Sequence, residues 1–214
     1  MTPEPVNIVC FGDSITHGAE FAPHERWTSI LQERLDAWRP ATYRVHNCGI
    51  GGNTSTQGFD RFGSEVLPLL PGVLLVQFGF NDANVPGWSL LPRVSVGEYL
   101  RNLREFHRAA TANNSTCIFV INHAIPPLAG SQGNNQRYDV NYAPYARALR
   151  ELVAELQAPA IDLPAEMQRK RVRLEEFVAE DKIHLSIAGN RQYADMVFGS
   201  LANLLAERVS AASN

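Results

Sequence analysis

Residues of the types that perform nucleophilic catalysis stand near the two ends of this 214-residue chain. Ser14 lies close to the start, and Asp181 and His184 lie close to the end. A serine hydroxyl is a poor nucleophile unless a base, most often a histidine, accepts its proton. The carboxylate of an Asp-x-x-His segment can hold the histidine Nδ1–H within one turn, which leaves Nε2 free for the serine proton. Each signal alone is ambiguous, because most Gly-Asp-Ser tripeptides are turns and most Asp-x-x-His pairs are solvated.

The chain between these residues alternates between strand and helix patterns. Strands are predicted at residues 6–11, 43–48, 72–79, 116–122 and 158–163, and helices at residues 25–35, 59–67, 99–110, 142–156 and 187–209. Gly12 ends the first strand, so Ser14 follows it directly, and Ser186 is a good N-cap for the last helix. This order predicts one α/β domain over residues 1–214, with a mostly parallel sheet of about five strands covered on both faces.

Further polar and flexible residues follow the second and third predicted strands. A glycine-rich stretch at residues 49–52 comes after the second strand, and Asn81 comes after the third. Loops at the carboxyl ends of parallel strands converge at one sheet edge, so we expect both segments to lie near Ser14. Glycines there leave backbone N–H groups accessible to a ligand, although a plain flexible turn is an equally good interpretation of the stretch by itself.

In sequence and in order along nearly the whole chain, these signals resemble the motifs of the SGNH hydrolases, also called the GDSL esterase/lipase family. The matching motifs are Gly12-Asp13-Ser14, Asn47-x-Gly49-x-x-Gly52, Gly79-x-Asn81-Asp82 and Asp181-x-x-His184. The resemblance implies a three-layer α/β/α, flavodoxin-like fold and hydrolysis of acyl esters without a metal or an organic cofactor. It also implies Ser14 as nucleophile, His184 as base, Asp181 as the partner of the base, and an oxyanion hole formed by Ser14, Gly52 and Asn81.

We therefore expect a serine esterase that acts on small or medium acyl esters. Acetyl and other short acyl groups are favoured, because the predicted loops at residues 83–94 and 123–139 are modest in length and not continuously apolar. Alternatives are a lysophospholipase or thioesterase of the same family, an acyltransferase, and, from another class, a non-catalytic carbohydrate-binding module. The predicted substrate-binding residues are His17, Val85, Trp88 and Ile125, with Leu90, Leu91 and Leu128 in the same loops; His17 is equally compatible with a surface position.

Composition narrows the set of partners. The 19 Lys and Arg against 22 Asp and Glu give a formal net charge of −3, with no basic block of the kind that binds nucleic acid. No run approaches the roughly 18 apolar residues that a membrane-spanning helix needs, and no signal peptide is visible, so we expect a soluble, cytoplasmic protein, with secretion left open as the alternative. The expected partner is a small-molecule ester, and a homo-oligomer stays open because apolar residues of the last helix can pack on the sheet or on another subunit.

The remaining cysteines, histidines and aspartates favour structural roles. Cys10, Cys48 and Cys117 lie in or at the end of strand-like runs, which is typical of buried reduced thiols. None of the histidines has a partner at zinc-ligand spacing, so no metal site is expected. Asp13 and Asp82 flank motif residues and are predicted to bond loop backbone.

Overall fold

One five-stranded parallel sheet organises the chain in the computed structural model, which describes residues 4–127 and 131–212, with side chains up to residue 206. The strands are β1 (Val6–Gly12), β2 (Tyr43–Gly49), β3 (Gly72–Gln77), β4 (Thr116–Ile121) and β5 (Ala160–Asp162), in the spatial order β2-β1-β3-β4-β5. β1, β3 and β4 are almost entirely buried, as strands covered by helices on both faces must be. The predicted parallel sheet and the flavodoxin-like strand order are both confirmed.

Helices occupy the segments between the strands. They are α1 (Ser14–His17), α2 (Trp27–Trp38), α3 (Ser55–Glu65), α4 (Phe80–Ala83), α5 (Val96–Ala112), α6 (Tyr138–Leu156), α7 (Leu163–Lys170), α8 (Leu174–Phe177) and α9 (Ile187–Ala212). α2 and α9 pack against each other, while α5 packs against both α3 and α6. Crossovers between parallel strands are right-handed, and β2 lies on the opposite side of β1 from β3. The pair α2 and α9 therefore covers one face of the sheet, and α3, α5 and α6 cover the other.

The five long helices expected from the sequence are present, whereas the four short ones, α1, α4, α7 and α8, were not predicted. These four helices are too brief to show a helical period, and a capping side chain marks the start of only α1 and α7. α7, for example, begins where the Asp162 carboxylate accepts a hydrogen bond from the Ala165 N–H at 3.1 Å. At α9 the predicted N-cap is confirmed, since the Ser186 hydroxyl accepts from the Gly189 N–H at 2.8 Å.

The sheet brings the ends of β1 and β3 together at a reversal of strand order. From β1 the chain crosses to β2 on one side, and from β3 it crosses to β4 on the other, so the loops after these two strands diverge and leave a crevice between them. Ligands of open α/β sheets bind in such a crevice at the carboxyl ends of the strands. Ser14 directly follows β1, and Asn81 lies in α4 after β3, so both stand at this crevice.

Candidate active site

A continuous chain of hydrogen bonds joins the two ends of the sequence at the sheet edge. The Ser14 Oγ lies 2.8 Å from His184 Nε2, and His184 Nδ1 lies 2.5 Å from Asp181 Oδ2. Partial burial acts to raise the pKa of Asp181, but the hydrogen bonds from His184 and from two backbone N–H groups outweigh it and hold that pKa below its ordinary value. A charged carboxylate at Nδ1 keeps the proton on that nitrogen, which leaves Nε2 as the acceptor for the serine hydroxyl.

The segment that carries His184, the predicted base, is a tight reversal ahead of α9. Asp181 Oδ1 accepts from the backbone N–H groups of Ile183 and His184, each at 2.9 Å, and the Ala179 N–H donates to the His184 carbonyl at 2.7 Å. An antiparallel bridge between Val178 and Leu185 closes the reversal. The spacing of the Asp-x-x-His motif therefore allows one carboxylate to bind both the backbone of the turn and the imidazole.

His123, at the end of β4, supports this segment from the protein interior. Its ring is fully buried, and its Nε2 lies 2.8 Å from the Ile183 carbonyl oxygen, so Nε2 carries the donating proton. Burial lowers the pKa of His123 to about 4, with the bond to Ile183 opposing that shift, and the ring is neutral at ordinary pH. It packs edge-on against the rings of Phe80 and Phe177. From the sequence it was only a histidine leaving a strand toward the site, because its contact is made across 60 residues.

Ser14, the predicted nucleophile, is the first residue of the short helix α1. Asp13 is fully buried and acts as its N-cap, with Oδ1 accepting from the Ile15 N–H at 3.0 Å, as predicted for a residue that bonds loop backbone. Trp27 fixes the far side of α1, because its indole N–H donates to the Ile15 carbonyl at 2.8 Å. A side chain at Gly12 would have its Cβ 2.4 Å from Thr16 Oγ1 and 2.5 Å from the Gln77 carbonyl, so only glycine allows this close turn.

A row of buried polar side chains lies beneath Ser14. Gln77 Oε1 accepts from the Thr16 hydroxyl at 2.8 Å, and Gln77 Nε2 donates to Asn122 Oδ1 at 3.0 Å. Asn122 in turn donates to the Phe78 carbonyl at 3.1 Å. The row joins the carboxyl ends of β1, β3 and β4, and each bond is worth more in this buried setting than it would be in water. The sequence pattern marked Gln77 and Asn122 only as ends of apolar strands.

The glycine-rich loop after β2 is fastened to its neighbours on several sides. Gly52 has φ +76, a conformation that favours glycine, and its backbone is exposed at the site. Arg61, from α3, donates to Asn53 Oδ1 at 2.9 Å and to the Gly12 carbonyl at 3.0 Å, so it links this loop to the end of β1. Asp82 accepts from the Ser55 N–H and hydroxyl at the start of α3. Burial raises the pKa of Asp82 to about 6, with the bonds from Ser55 opposing the shift.

Asn81 is half-buried in the first turn of α4, between the strand end and the exposed loop at residues 84–93. Its Oδ1 lies 3.4 Å from an Arg93 guanidinium nitrogen, and the same nitrogen lies 3.0 Å from the Gly52 carbonyl oxygen. The two segments predicted to supply oxyanion donors are thus neighbours in space. Arg93 was not recognised in the sequence, where it is one of many arginines outside any motif.

The four predicted substrate-binding residues fall into two groups. Trp88 is 89% exposed and His17 is half-buried, with its Nδ1 3.3 Å from the Gly51 N–H. Val85 and Ile125 are only 3% and 6% exposed, because they pack in the core under the loops, and in this structure they offer a substrate almost no surface. Leu90 and Leu91 are exposed beside Trp88, and the predicted wall residue Leu128 lies outside the described residues. We therefore retain the predicted substrate contacts for Trp88, Leu90, Leu91 and His17, which have accessible surface, and not for Val85 and Ile125.

Cysteines and possible metal ligands contribute no further site within the described part of the chain. Cys10 and Cys117 are buried and Cys48 is half-buried, and all three are free thiols, in line with the structural role expected for them. Residues 4–127 and 131–212 contain no cluster of three or more His, Cys, Asp or Glu side chains arranged to hold a metal ion. Over the same residues, no helix combines the length and apolar character needed to cross a membrane.

Comparisons with known proteins agree with the motifs. The profile of the GDSL-like lipase/acylhydrolase family matches residues 10–192. The chain is 28% identical over 155 residues to the uncharacterized lipoprotein YqeF of Bacillus subtilis (strain 168), which covers 68% of this chain and 58% of YqeF. It is 26% identical over 123 residues to esterase TesA of Pseudomonas aeruginosa, which covers 58% of this chain and 57% of TesA. The chain thus spans less than two thirds of the length of these two curated relatives.

A solved structure agrees with the same assignment. The lipase/acylhydrolase from Enterococcus faecalis superimposes with a TM-score of 0.73 at 25% sequence identity, over 92% of this chain and 95% of that one. The resemblance expected from four short motifs therefore extends over the fold. The chain belongs to the GDSL-like lipase/acylhydrolase family.

Proposed function

We propose that this protein is a serine esterase that hydrolyses carboxylic esters of short acyl groups, acetyl above all. The observation that carries the proposal is the unbroken hydrogen-bond chain from Asp181 through His184 to Ser14, at 2.5 and 2.8 Å. Three residues of the right types, drawn from the first and last segments of the chain, meet in the order that activates a serine. Membership of an acylhydrolase family gives independent support.

The proposed reaction begins when His184 Nε2 takes the Ser14 proton as Oγ attacks the ester carbonyl carbon. The carbonyl electron pair moves onto oxygen, and the backbone N–H groups of Ser14 and Gly52 and the Asn81 side-chain amide stabilise that oxyanion. Collapse of the tetrahedral intermediate breaks the bond to the alkoxy group, which leaves as an alcohol with the proton from His184. Water then attacks the acyl-enzyme, with His184 again as base, and the carboxylic acid and free Ser14 are regenerated.

The preference for short acyl groups is supported by the packing of the apolar residues near the site. Val85 and Ile125, which would be natural walls for an acyl chain, are buried in the core, whereas Trp88, Leu90 and Leu91 lie on the exposed surface of the loop at residues 84–93. A long acyl chain gains about 0.8 kcal/mol for each CH₂ that it buries, and it needs an enclosed apolar surface to do so. Trp88 is the proposed contact for the acyl or alcohol part of the ester, and His17 is retained as a second proposed contact.

Activity-based labelling tests the enzyme class. A fluorophosphonate probe should label the wild-type protein, and the labelling should vanish in Ser14→Ala while Ser29→Ala, a serine in α2 away from the triad, labels normally. Labelling that survives Ser14→Ala would remove the proposed nucleophile, and the absence of labelling in the wild type would favour a non-catalytic binding module.

A substrate panel tests the acyl preference. p-Nitrophenyl acetate, butyrate, octanoate and palmitate are compared by kcat/KM, together with acetylated sugars and, for transfer, added acceptor alcohols. Highest kcat/KM on acetate supports the proposal. Higher values on octanoate or palmitate would favour a lysophospholipase or thioesterase, and product esters formed in preference to free acid would favour an acyltransferase. The cytoplasmic location, the single-domain organisation, the absence of a cofactor and any homo-oligomer stay predictions.

A further inference from the structure

Arg93 stands where the two segments of the proposed oxyanion hole meet. One of its terminal nitrogens, Nη1, lies 3.0 Å from the Gly52 carbonyl oxygen and 3.4 Å from Asn81 Oδ1, and Nη2 lies 3.1 Å from Gln57 Oε1. These partners come from three separate segments: the loop after β2, helix α4 and helix α3. A single side chain therefore binds two of the three residues, Gly52 and Asn81, whose N–H groups are proposed to face the substrate oxygen.

The chemistry of a guanidinium decides which way the Asn81 amide points. Arginine has donors and no acceptor, so it binds the amide oxygen of Asn81 and not its NH₂ group. The torsion that turns an asparagine amide has a broad, roughly two-fold profile, so an unheld amide exchanges its oxygen and nitrogen at little cost. In the flipped form the oxygen would face the developing oxyanion and repel it, whereas contact with Arg93 leaves the NH₂ group free to donate.

Gly52 needs similar support, because its φ of +76 is one of several conformations open to a glycine. Arg61 binds Asn53 on one side of it and the His17 ring binds Gly51 on the other. Arg93 is the group that binds Gly52 itself, through the carbonyl oxygen. Fixing that carbonyl limits rotation of the residue and with it the direction of the proposed donor N–H.

Arg93 is delivered by an anchored stem, although its side chain is exposed. The Arg93 N–H donates to the Asn84 carbonyl at 2.9 Å, and the Val94 N–H donates to the Asp82 carbonyl at 3.1 Å, which closes the loop at its base. Val94 is 5% exposed, and its carbonyl accepts from the Tyr145 hydroxyl. The guanidinium is therefore carried by backbone that is itself held next to α4.

We infer that Arg93 is a positioning residue for catalysis, which orients the Asn81 amide and the Gly52 backbone without touching the substrate. The inference rests on the proposed function. It predicts that loss of Arg93 lowers kcat and leaves KM nearly unchanged, by less than the roughly 10²–10³-fold expected for loss of an oxyanion donor itself. About tenfold to a hundredfold is the expected loss of kcat on p-nitrophenyl acetate.

The test is a double-mutant cycle with a matched control. Arg93→Ala, Asn81→Ala and the double variant are assayed for kcat and KM, and Arg101→Ala serves as control because Arg101 is an exposed arginine of α5 that pairs with Glu98 at 3.3 Å. If Arg93 acts in part through Asn81 and in part through Gly52, the double variant loses more than Asn81→Ala alone but less than the product of the two single losses. The inference would be overturned if the loss of kcat in the double variant equalled the product of the two single losses. It would also be overturned if Arg93→Ala raised KM at unchanged kcat, as expected for a cation that binds substrate, or if its kcat and KM equalled those of Arg101→Ala.

Two further measurements keep the outcomes separable. Thermal unfolding of each variant monitors the fold, and Arg93→Lys, which keeps the charge but not the planar donor pair, takes the place of Arg93→Ala in the cycle if that variant does not fold. Ser14→Ala is assayed in parallel. If Ser14→Ala stays active, the proposed function fails; if Ser14→Ala and Asn81→Ala lose activity while Arg93→Ala does not, the proposed function stands and only the role of Arg93 is wrong.

Discussion

Asp13 and Asp181 are aspartates on either side of the same serine–histidine pair, yet their surroundings give them opposite properties. Asp13 is completely buried, and burial raises its pKa to about 7, with the hydrogen bond from Ile15 opposing the shift. The Asp181 side chain is 49% exposed; burial is the largest single influence and acts to raise its pKa, but the hydrogen bonds from His184 and the backbone together hold that pKa below the ordinary value. Environment, and not residue type, therefore sets the direction in which the pKa of each carboxyl shifts.

The largest effect is expected from a substitution of Asp181, the exposed member of the pair. In Asp181→Asn, the side-chain oxygen can still accept from the Ile183 and His184 N–H groups, so the turn should be kept. The new NH₂ group donates to His184 Nδ1, so the imidazole proton moves to Nε2. A protonated Nε2 can no longer accept a hydrogen bond from Ser14. We expect kcat on p-nitrophenyl acetate to fall by about 10⁴, the loss known for the same change in a serine protease.

The control for Asp181→Asn is Glu180→Gln, which removes an exposed negative charge from the adjacent position. It should leave kcat within about twofold, because exposed charges act weakly through solvent. A loss of similar size in both variants would mean that the charge of the segment matters and that the contact of Asp181 with His184 does not.

The next effect is expected at Asn81, in the first turn of α4. Removing its amide in Asn81→Ala should lower kcat by about 10²–10³ with KM little changed, because the oxyanion forms only after attack. Steady-state kinetics on p-nitrophenyl acetate measure both parameters. Equal activity of wild type and Asn81→Ala would take Asn81 out of the proposed mechanism.

The buried carboxyl should reveal itself in the pH dependence of stability. The pKa of Asp13 is about 7 in the folded protein and about 3.9 in the unfolded chain, so the folded protein binds more protons between these two pH values. The contribution of Asp13 to the free energy of unfolding therefore falls as pH rises from about 3.9 to about 7. Asp13→Asn keeps the acceptor for the Ile15 N–H and cannot ionise. Between pH 5 and 8, denaturant unfolding should show the wild type losing stability relative to Asp13→Asn, by about 1–3 kcal/mol.

Asp181 should show the opposite sign. Because its folded pKa is lowered, its contribution to stability is present above the unfolded pKa and is lost as pH falls through the folded one. The difference in unfolding free energy between wild type and Asp181→Asn should therefore shrink on acidification below pH 4. Parallel pH profiles for Asp13→Asn and Asp181→Asn would contradict the assigned environments.

The smallest effect is expected at His123, which reaches the base segment from the interior. His123→Leu removes the donor to the Ile183 carbonyl, at a cost of about 1–3 kcal/mol for the unsatisfied group, part of which should appear as a roughly tenfold lower kcat. His123→Gln places an amide NH₂ near the position of Nε2 and should recover most of the activity. If the two variants behave alike, His123 contributes packing and not position.

The sequence predicted those parts of the fold whose signals are local. The apolar runs that became β1, β3 and β4 are continuous, those of β1 and β3 are bounded by Pro and Gly, and α5 repeats its apolar positions over several turns, so the local pattern was sufficient to identify them. α4, α7 and α8 span about one or two turns, and no period can be read over that length. Val85 and Ile125 were predicted as pocket walls from their loop positions, but loop position does not determine whether an apolar side chain turns inward to the core.

For the candidate site, the sequence by itself determined the residue types and their order: the serine after the first strand, the glycines after the second, Asn81 after the third, and the Asp-x-x-His motif before the last helix. Only the tertiary structure decided that Ser14 and His184 lie 2.8 Å apart, that His123 contacts the Ile183 carbonyl and Arg93 contacts Asn81, and that the pKa of Asp13 is raised while that of Asp181 is lowered. The physical reason is that these properties depend on burial and on contacts between distant segments, and neither is encoded in local spacing.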